Sequence, residues 1–163
     1  MNLSVKEHQI IKTHLKVAKV VDGDGLIVTS LFSKQEEEIR LLGIDAPELR
    51  MCNKLKQDER ETHIAGQLLM ELGRKAQKFM ISVVPPETNI TLVQEEQSQI
   101  DAYGRTLAYV YLPDGRCLNE IMIAEGFAKP YNRFFCSELP KYQLLSNTAK
   151  TEKKGLYLYA DKF

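Results

Sequence analysis

The sequence predicts an α+β chain in which five strands close a small barrel and about three helices pack around it. Three observations carry this expectation. Five short segments are rich in β-branched and alternating apolar residues. The stretch from Ile64 to Met80 repeats its apolar residues at helical spacing. Turn signals (Asp22-Gly23-Asp24-Gly25, Pro85-Pro86 and Pro113-Asp114-Gly115) fall between these segments. A chain of 163 residues fits one domain and buries enough surface to fold without metals or disulfides.

Taken in order, residues 1–14 read as an N-terminal extension and 15–163 as the barrel domain. Residues 15–21 and 26–32 are expected strands around the Asp-Gly turn, and 37–44 is a third, ending at Asp45-Ala46-Pro47. The charged stretch Arg50 to Glu61 mixes signs and reads as an exposed loop. The long helix follows, with Thr62 positioned to cap its start and Pro85-Pro86 to end it. Residues 88–95 and 105–112 are the last two expected strands. Residues 117–126 form a short helix stopped by Gly126, and 138–152 a final one before Gly155. Phe134, Phe135 and the run Tyr157-Leu158-Tyr159 are expected to pack near the ends. Three strands, a helix, two strands and two helices suit an OB-fold barrel. That architecture often binds oligonucleotides, but a fold does not fix a function.

Composition narrows the classes. The net charge is zero, which argues against a passive nucleic-acid coat protein, because such a protein needs a basic stripe to displace counterions. It leaves room for an enzyme that neutralises one phosphate locally. No apolar run approaches the roughly 20 residues of a membrane span, so no membrane partner is expected. Met1 to Leu15 has no apolar core of a signal peptide. The expectation is therefore a cytoplasmic monomer, or a secreted or periplasmic protein if a leader was removed. Cys52, Cys117 and Cys136 form no C-x-x-C pair and no ligand spacing with His8, His14 or His63, so a structural zinc site is not expected.

Four clusters carry candidate chemistry. Val21-Asp22-Gly23-Asp24-Gly25 is either a hairpin turn or a turn that presents two carboxylates. Ile39 to Glu48 places Arg40 inside an apolar run, then delivers Asp45 and Glu48 around Pro47. A surface arginine and an acidic strand end would also fit. Asp101-Ala102-Tyr103-Gly104-Arg105 is a turn leading into a strand, with Arg105 at its start. Asn119 to Tyr131 is a helix and its stop, followed by Lys129 and Tyr131, and by itself reads as core plus surface.

Together these clusters resemble the staphylococcal (micrococcal) nuclease family, the thermonuclease-like or SNase-like proteins. The order D-G-D, R-L-x-x-[IV]-D-x-P-E and D-x-Y-G-R-x-L-A-Y is present at compatible spacing, and the resemblance covers roughly residues 15–157. It implies a calcium-dependent endonuclease with low sequence specificity. Such a hydrolase cuts DNA or RNA to leave 3′-phosphate and 5′-hydroxyl ends. Asp24 and Asp45 are the implied Ca²⁺ ligands, their hard oxygens suiting a hard ion, together with the backbone carbonyl of Ala46. Threonine is commoner at that position in the family. Asp22 is implied to hold metal waters or the turn. Arg40 and Arg105 match the two phosphate-gripping arginines, whose guanidinium makes paired bonds that lysine does not copy. Glu48 matches the glutamate that orients or deprotonates the attacking water. Ala102 stands where the family carries a phosphate-contacting lysine, so that contact is lost. Tyr103, Lys129 and Tyr131 are the candidate substrate-binding residues, with Pro130 shifting the local alignment.

Two further expectations stay open. Cys52 and Cys136 both follow segments expected to border the cleft, and in an oxidising compartment they either pair or remain two free thiols. The alternative function is a barrel without catalysis that binds nucleic acid or protein. Retention of Asp24, Asp45, Glu48, Arg40 and Arg105 weighs against it.

Overall fold

The computed structural model describes residues 6–163, and Met1 to Val5, the start of the expected extension, lie outside the described residues. Five strands form a closed barrel in the order β1-β2-β3-β6-β5. They are β1 (Gln9–Asp22), β2 (Gly25–Ser30), β3 (Glu36–Leu41), β5 (Asn89–Glu95) and β6 (Thr106–Tyr111). β1 starts six residues before the expected Leu15. Its first half pairs with β5 and its second half with β2, so one long strand serves two edges of the barrel. Register shifts between Lys12 and Leu15 and between Val17 and Lys19 bend it as it passes from one partner to the other. All pairings are antiparallel except β3 with β6, which closes the barrel in parallel.

The third expected strand is broken in two. β3 ends at Leu41, and the chain turns at Gly43, whose φ of 81° is open to glycine at little cost. A β-carbon there would also stand 2.5 Å from Cys136 Sγ. β4 (Ile44–Asp45) then pairs with β7 (Lys129–Pro130) in a separate two-stranded ribbon. This ribbon is absent from the expected strand order, and it places Asp45 directly opposite Lys129.

Four α-helices are present among the described residues rather than about three. The extra one, α1 (Asn53–Thr62), occupies the stretch expected to be a loop. Its apolar pattern is weak because Leu55 is the only apolar residue it buries. Capping and polar contacts sustain it instead. Cys52 Sγ accepts from Leu55 N at 3.4 Å, and Lys54 meets Asp58 one turn on, at 2.7 Å. Thr62 does not cap the long helix; its hydroxyl donates to Asp58 O inside α1. The long helix α2 (Gly66–Val83) starts after Ala65 without a side-chain cap. It buries Leu69, Leu72, Ala76 and Met80. α3 (Leu118–Ala124) and α4 (Leu139–Thr151) fall where the sequence placed helices. No helix among the described residues is long and apolar enough to cross a membrane.

The core is continuous from the barrel interior (Val17, Leu26, Val28, Ile39, Leu92, Val110) to the helices. One buried polar group ties the two parts together. Asn119, fully buried on α3, donates to Leu42 O (2.9 Å) and Ala108 O (3.1 Å) and accepts from Val110 N (3.0 Å). Removing that amide leaves the Val110 N–H buried without a partner. Asn119→Ala is expected to lower the unfolding free energy by about 2–4 kcal/mol, measured by urea titration. A loss below about 0.5 kcal/mol would mean that water replaces the amide.

Candidate active site

A cleft of about 780 Å³ opens beside β3, β4 and α1 and gathers residues from all four sequence clusters. Its lining includes Asp22, Asp24, Arg40, Asp45, Glu48, Tyr103, Arg105 and Tyr131. Every element contributes for a local reason. The β1–β2 turn delivers Asp22 and Asp24, and Asp22 Oδ1 accepts from Asp24 N at 3.1 Å to fix the turn. Arg40 lies near the end of β3 opposite Gly25, so the strand pairing itself brings it to the turn. Arg105 sits one residue before β6. Because β3 and β6 are parallel, with Arg40 opposite Leu107, both arginines rise from the same wall of the barrel.

Two close backbone approaches set the carboxylate-bearing segment. A β-carbon on Gly73 of α2 would stand 2.6 Å from Pro47 O and 2.7 Å from Glu48 O, so the Pro47–Glu48 backbone rests directly on the helix. A β-carbon on Gly23 would meet those of Ala46 and Ala76 at 2.6 and 2.7 Å. The small residue at Ala46 is therefore part of a tight three-way contact. Its N–H donates to Asp24 Oδ2 at 3.0 Å, which locks the two acidic segments together.

The charges are buried and paired. Asp24 and Asp45 are only 5% and 2% exposed. Arg40 Nη1 lies 2.9 Å from Asp24 Oδ2, and Nη2 donates to Asp45 Oδ1 at 3.4 Å. The first contact is close but poorly aligned, so Nη1 remains a buried donor without a hydrogen bond. Lys54 of α1 reaches Asp45 Oδ2 at 3.0 Å, and Lys129 stands 3.9 Å from the same oxygen. Lys54 was missed from sequence because its segment read as a loop. The Lys54/Asp58 spacing of four residues was the available signal. Lys129 also donates to Phe163 O at 2.7 Å and does not line the cleft.

Arg105 is oriented differently. Its Nε donates to Asp101 Oδ2 at 2.8 Å, while Asp101 Oδ1 accepts from the N–H groups of Tyr103 and Arg105 at 2.9 Å. Burial works against the charge on Asp101, but these bonds hold its pKa below the ordinary value. Arg105 thus keeps its terminal nitrogens toward the cleft, stacked near the exposed Tyr103 ring (5.6 Å). Tyr131 is half-buried, and the Arg40 guanidinium lies 5.3 Å from its ring centre.

Four carboxyl groups converge on one end of the cleft and do not titrate alike. Burial raises the Asp24 pKa, but the Arg40 guanidinium, the hydrogen bonds to Asp22 and the Ala46 N–H, and the Arg105 charge together outweigh it and hold the group ionised. Burial and the Asp24 charge push Asp22 and Asp45 upward. Burial, then Asp24 and Asp45, push Glu48 to about 7. Among the described residues no three acid, cysteine or histidine side chains converge as a ready metal cage. The three raised carboxyls owe their elevation first to burial and then to the Asp24 charge beside them.

All three cysteines are unpaired. Cys52 is exposed at the start of α1, Cys117 is buried, and Cys136 is buried with its sulfur 3.3 Å from Tyr109 Oη. The pairing considered for Cys52 and Cys136 is not made.

The raised Glu48 pKa has a stability consequence. A carboxyl with a folded pKa above its unfolded one binds extra proton in the native state, so its contribution falls as pH rises from about 4.5 through 7. Without divalent cations, going from pH 5 to 8 is expected to cost the wild type about 1–2 kcal/mol more than Glu48→Gln, after allowance for solvent screening. Urea titrations at the two pH values measure this. Equal losses in both proteins would show Glu48 titrating normally.

Comparison with known proteins gives the same picture. Residues 38–159 match the family described as staphylococcal nuclease homologue. The chain is 34% identical over 148 residues to an uncharacterised endonuclease of Escherichia coli, covering 91% of this chain and 79% of that protein. It is 30% identical over 145 residues to the thermonuclease of Staphylococcus intermedius, covering 88% and 74%. Over 144 residues it is 28% identical to the endonuclease YhcR of Bacillus subtilis, covering 86% of this chain but 11% of that protein. A barrel with its acidic turn, two arginines and a glutamate around one cleft, together with this match, shows that the chain belongs to the staphylococcal nuclease family.

Proposed function

We propose that the chain is a calcium-dependent endonuclease that hydrolyses DNA or RNA with low sequence specificity. The observation that carries this reading is the convergence of Asp24, Asp45, Glu48, Arg40 and Arg105 on one cleft. The donor set supports a hard divalent ion. Asp24 and Asp45 offer carboxylate oxygens on one cleft, and the Ala46 backbone carbonyl is next in the chain. These three residues would hold Ca²⁺, with Asp22 supporting the turn. The ion would supply Lewis-acid polarisation of a phosphoryl oxygen.

The protein's own groups do the rest. Arg105, held at Nε by Asp101, presents its remaining N–H groups to one phosphoryl oxygen pair. Arg40 adds positive charge at the floor of the cleft, where low dielectric strengthens it. Both gain as negative charge accumulates on the phosphoryl oxygens in the transition state. Glu48, half-buried on the wall of the cleft beside Asp45, is placed to accept a proton from water. The water oxygen bonds to phosphorus and the P–O5′ bond breaks. The departing oxygen takes a proton from solvent water to become a 5′-hydroxyl, Glu48 returns its proton to the solvent, and the phosphate stays on the 3′ side. Tyr103 and Tyr131 flank the cleft and offer aromatic faces to bases, which recognises a strand without reading its sequence. Lys129 supports the site from behind, through Asp45 and Phe163.

Cleavage of a labelled single-stranded DNA and a matching RNA is expected with Ca²⁺ and not with EGTA. Binding of both without cutting under any divalent metal would favour the non-catalytic barrel instead. Glu48→Gln is expected to lower kcat by at least about 100-fold, and Arg40→Lys and Arg105→Lys by a comparable factor through lost geometry. Activity within a few-fold of wild type in all three variants would sink the assignment. Gly73→Ala, far from any contact with phosphate, should reduce kcat by more than about tenfold by displacing the Glu48 backbone. An unchanged kcat would show that the helix gives way instead.

A further inference from the structure

The cleft is larger than one phosphate clamp requires, and its outer walls carry charge that the reaction above does not use. On one wall, α1 turns Asn53, Gln57 and Arg60 toward the opening at helical spacing, a face about 10 Å long. On the other, the segment after β7 contributes Arg133 and Phe134. Arg60 and Arg133 are both exposed and, among the described residues, make no ion pair, whereas Arg40, Lys54 and Arg105 in the same cleft are all committed to carboxylates. The Arg133 guanidinium lies 5.9 Å from the Phe134 ring centre, which limits the side chain without neutralising it.

The helix itself calls for an explanation. α1 buries one leucine and is otherwise polar, so burial contributes little to keeping it ordered. What it does provide is a rigid polar wall anchored at its base by Lys54 on Asp45. The remaining rim does not offer a polyanion an equivalent path. Ala102 is uncharged, and Glu38 on the β3 side is an exposed acid that repels phosphate.

We infer that Arg60 on α1 and Arg133 on the facing segment are substrate-binding residues. They grip the phosphates that flank the scissile one and fix the path of a nucleic-acid strand between α1 and the Tyr131–Phe134 wall. This rests on the nuclease reading of the same cleft. The pair acts on a strand of several nucleotides and is idle toward a substrate with a single phosphate. Phosphate contacts of this kind position a chain without selecting bases. They make its affinity depend on salt, with each contact adding about 0.7 to the log–log slope for a single strand.

The test compares wild type, Arg60→Ala, Arg133→Ala and the double variant on a 12-nucleotide oligothymidylate and on bis(p-nitrophenyl) phosphate, which carries one phosphate. Arg116→Ala, on an exposed turn outside the cleft, is the charge-matched control. Each cleft variant is expected to raise KM for the oligonucleotide about 3- to 10-fold while kcat holds. The kcat/KM ratio of oligonucleotide to ester should fall by the same factor, and further in the double variant. Fluorescence anisotropy of the labelled oligonucleotide against salt should show the slope reduced by about 0.7 per arginine. An unchanged KM and slope, or equal losses on both substrates, would overturn the inference. If the wild type cuts neither substrate, the nuclease reading fails. The anisotropy slopes then still decide whether this pair holds a strand, and no oligonucleotide binding by the wild type would overturn that too.

Discussion

A carboxylate as deeply buried as Asp45 must be compensated, and much of the local architecture serves that requirement. Desolvating an ion costs several kcal/mol, which only close opposite charges and hydrogen bonds offset. Three cations from three elements meet at this one group: Arg40 from β3, Lys54 from α1 and Lys129 from β7. The barrel, the added helix and the small β4–β7 ribbon are thereby tied at a single point. The same pairing holds Arg40 under the acidic turn, where Asp24 shares its charge. A neutral chain thus concentrates its electrostatics in one cleft instead of spreading them over a basic surface.

That concentration explains how the acidic groups differ in titration. Asp24 is kept ionised by Arg40 and its hydrogen bonds, whereas burial and the neighbouring acids raise Glu48 to about 7 and Asp22 to about 8. Such divergence between neighbouring carboxyls is a common mark of acid–base sites. It arises here from placement alone. Glu48 stands three residues after Asp45, but its backbone leans on Gly73 while Asp45 is drawn inward by the ribbon.

Much of this was legible in the sequence, and the exceptions share a cause. Strands β2, β5 and β6 and helices α2, α3 and α4 follow local apolar periodicity and were recovered within a few residues. The acidic turn, Arg40, Asp45, Glu48 and Arg105 were singled out by the resemblance of their joint order to the family pattern rather than by any one cluster, and the structure brings them to one cleft. α1 was not legible, since only Leu55 marks its buried side and its order depends on contacts that periodicity does not encode. Lys54, Arg60 and the wall they build were lost with it. The early start of β1 and the β4–β7 ribbon were missed for a related reason. Both are defined by a partner distant in the chain: β5 for the first half of β1, and Lys129–Pro130 for Ile44–Asp45.

The parallel closure between β3 and β6 has a kinetic meaning. Arg40 and Arg105 come to one wall only when two strands more than 60 residues apart in sequence pair side by side. Long-range parallel pairing is slow, because the chain entropy of closing so large a loop is lost before contacts repay it. The helices can order earlier from local contacts, and a chain in that condition would carry most of its α-helical signal with no assembled cleft. During refolding, return of the cleft should therefore trail return of helix, and the last event of folding would be the one that first brings Arg40 and Arg105 to the same wall.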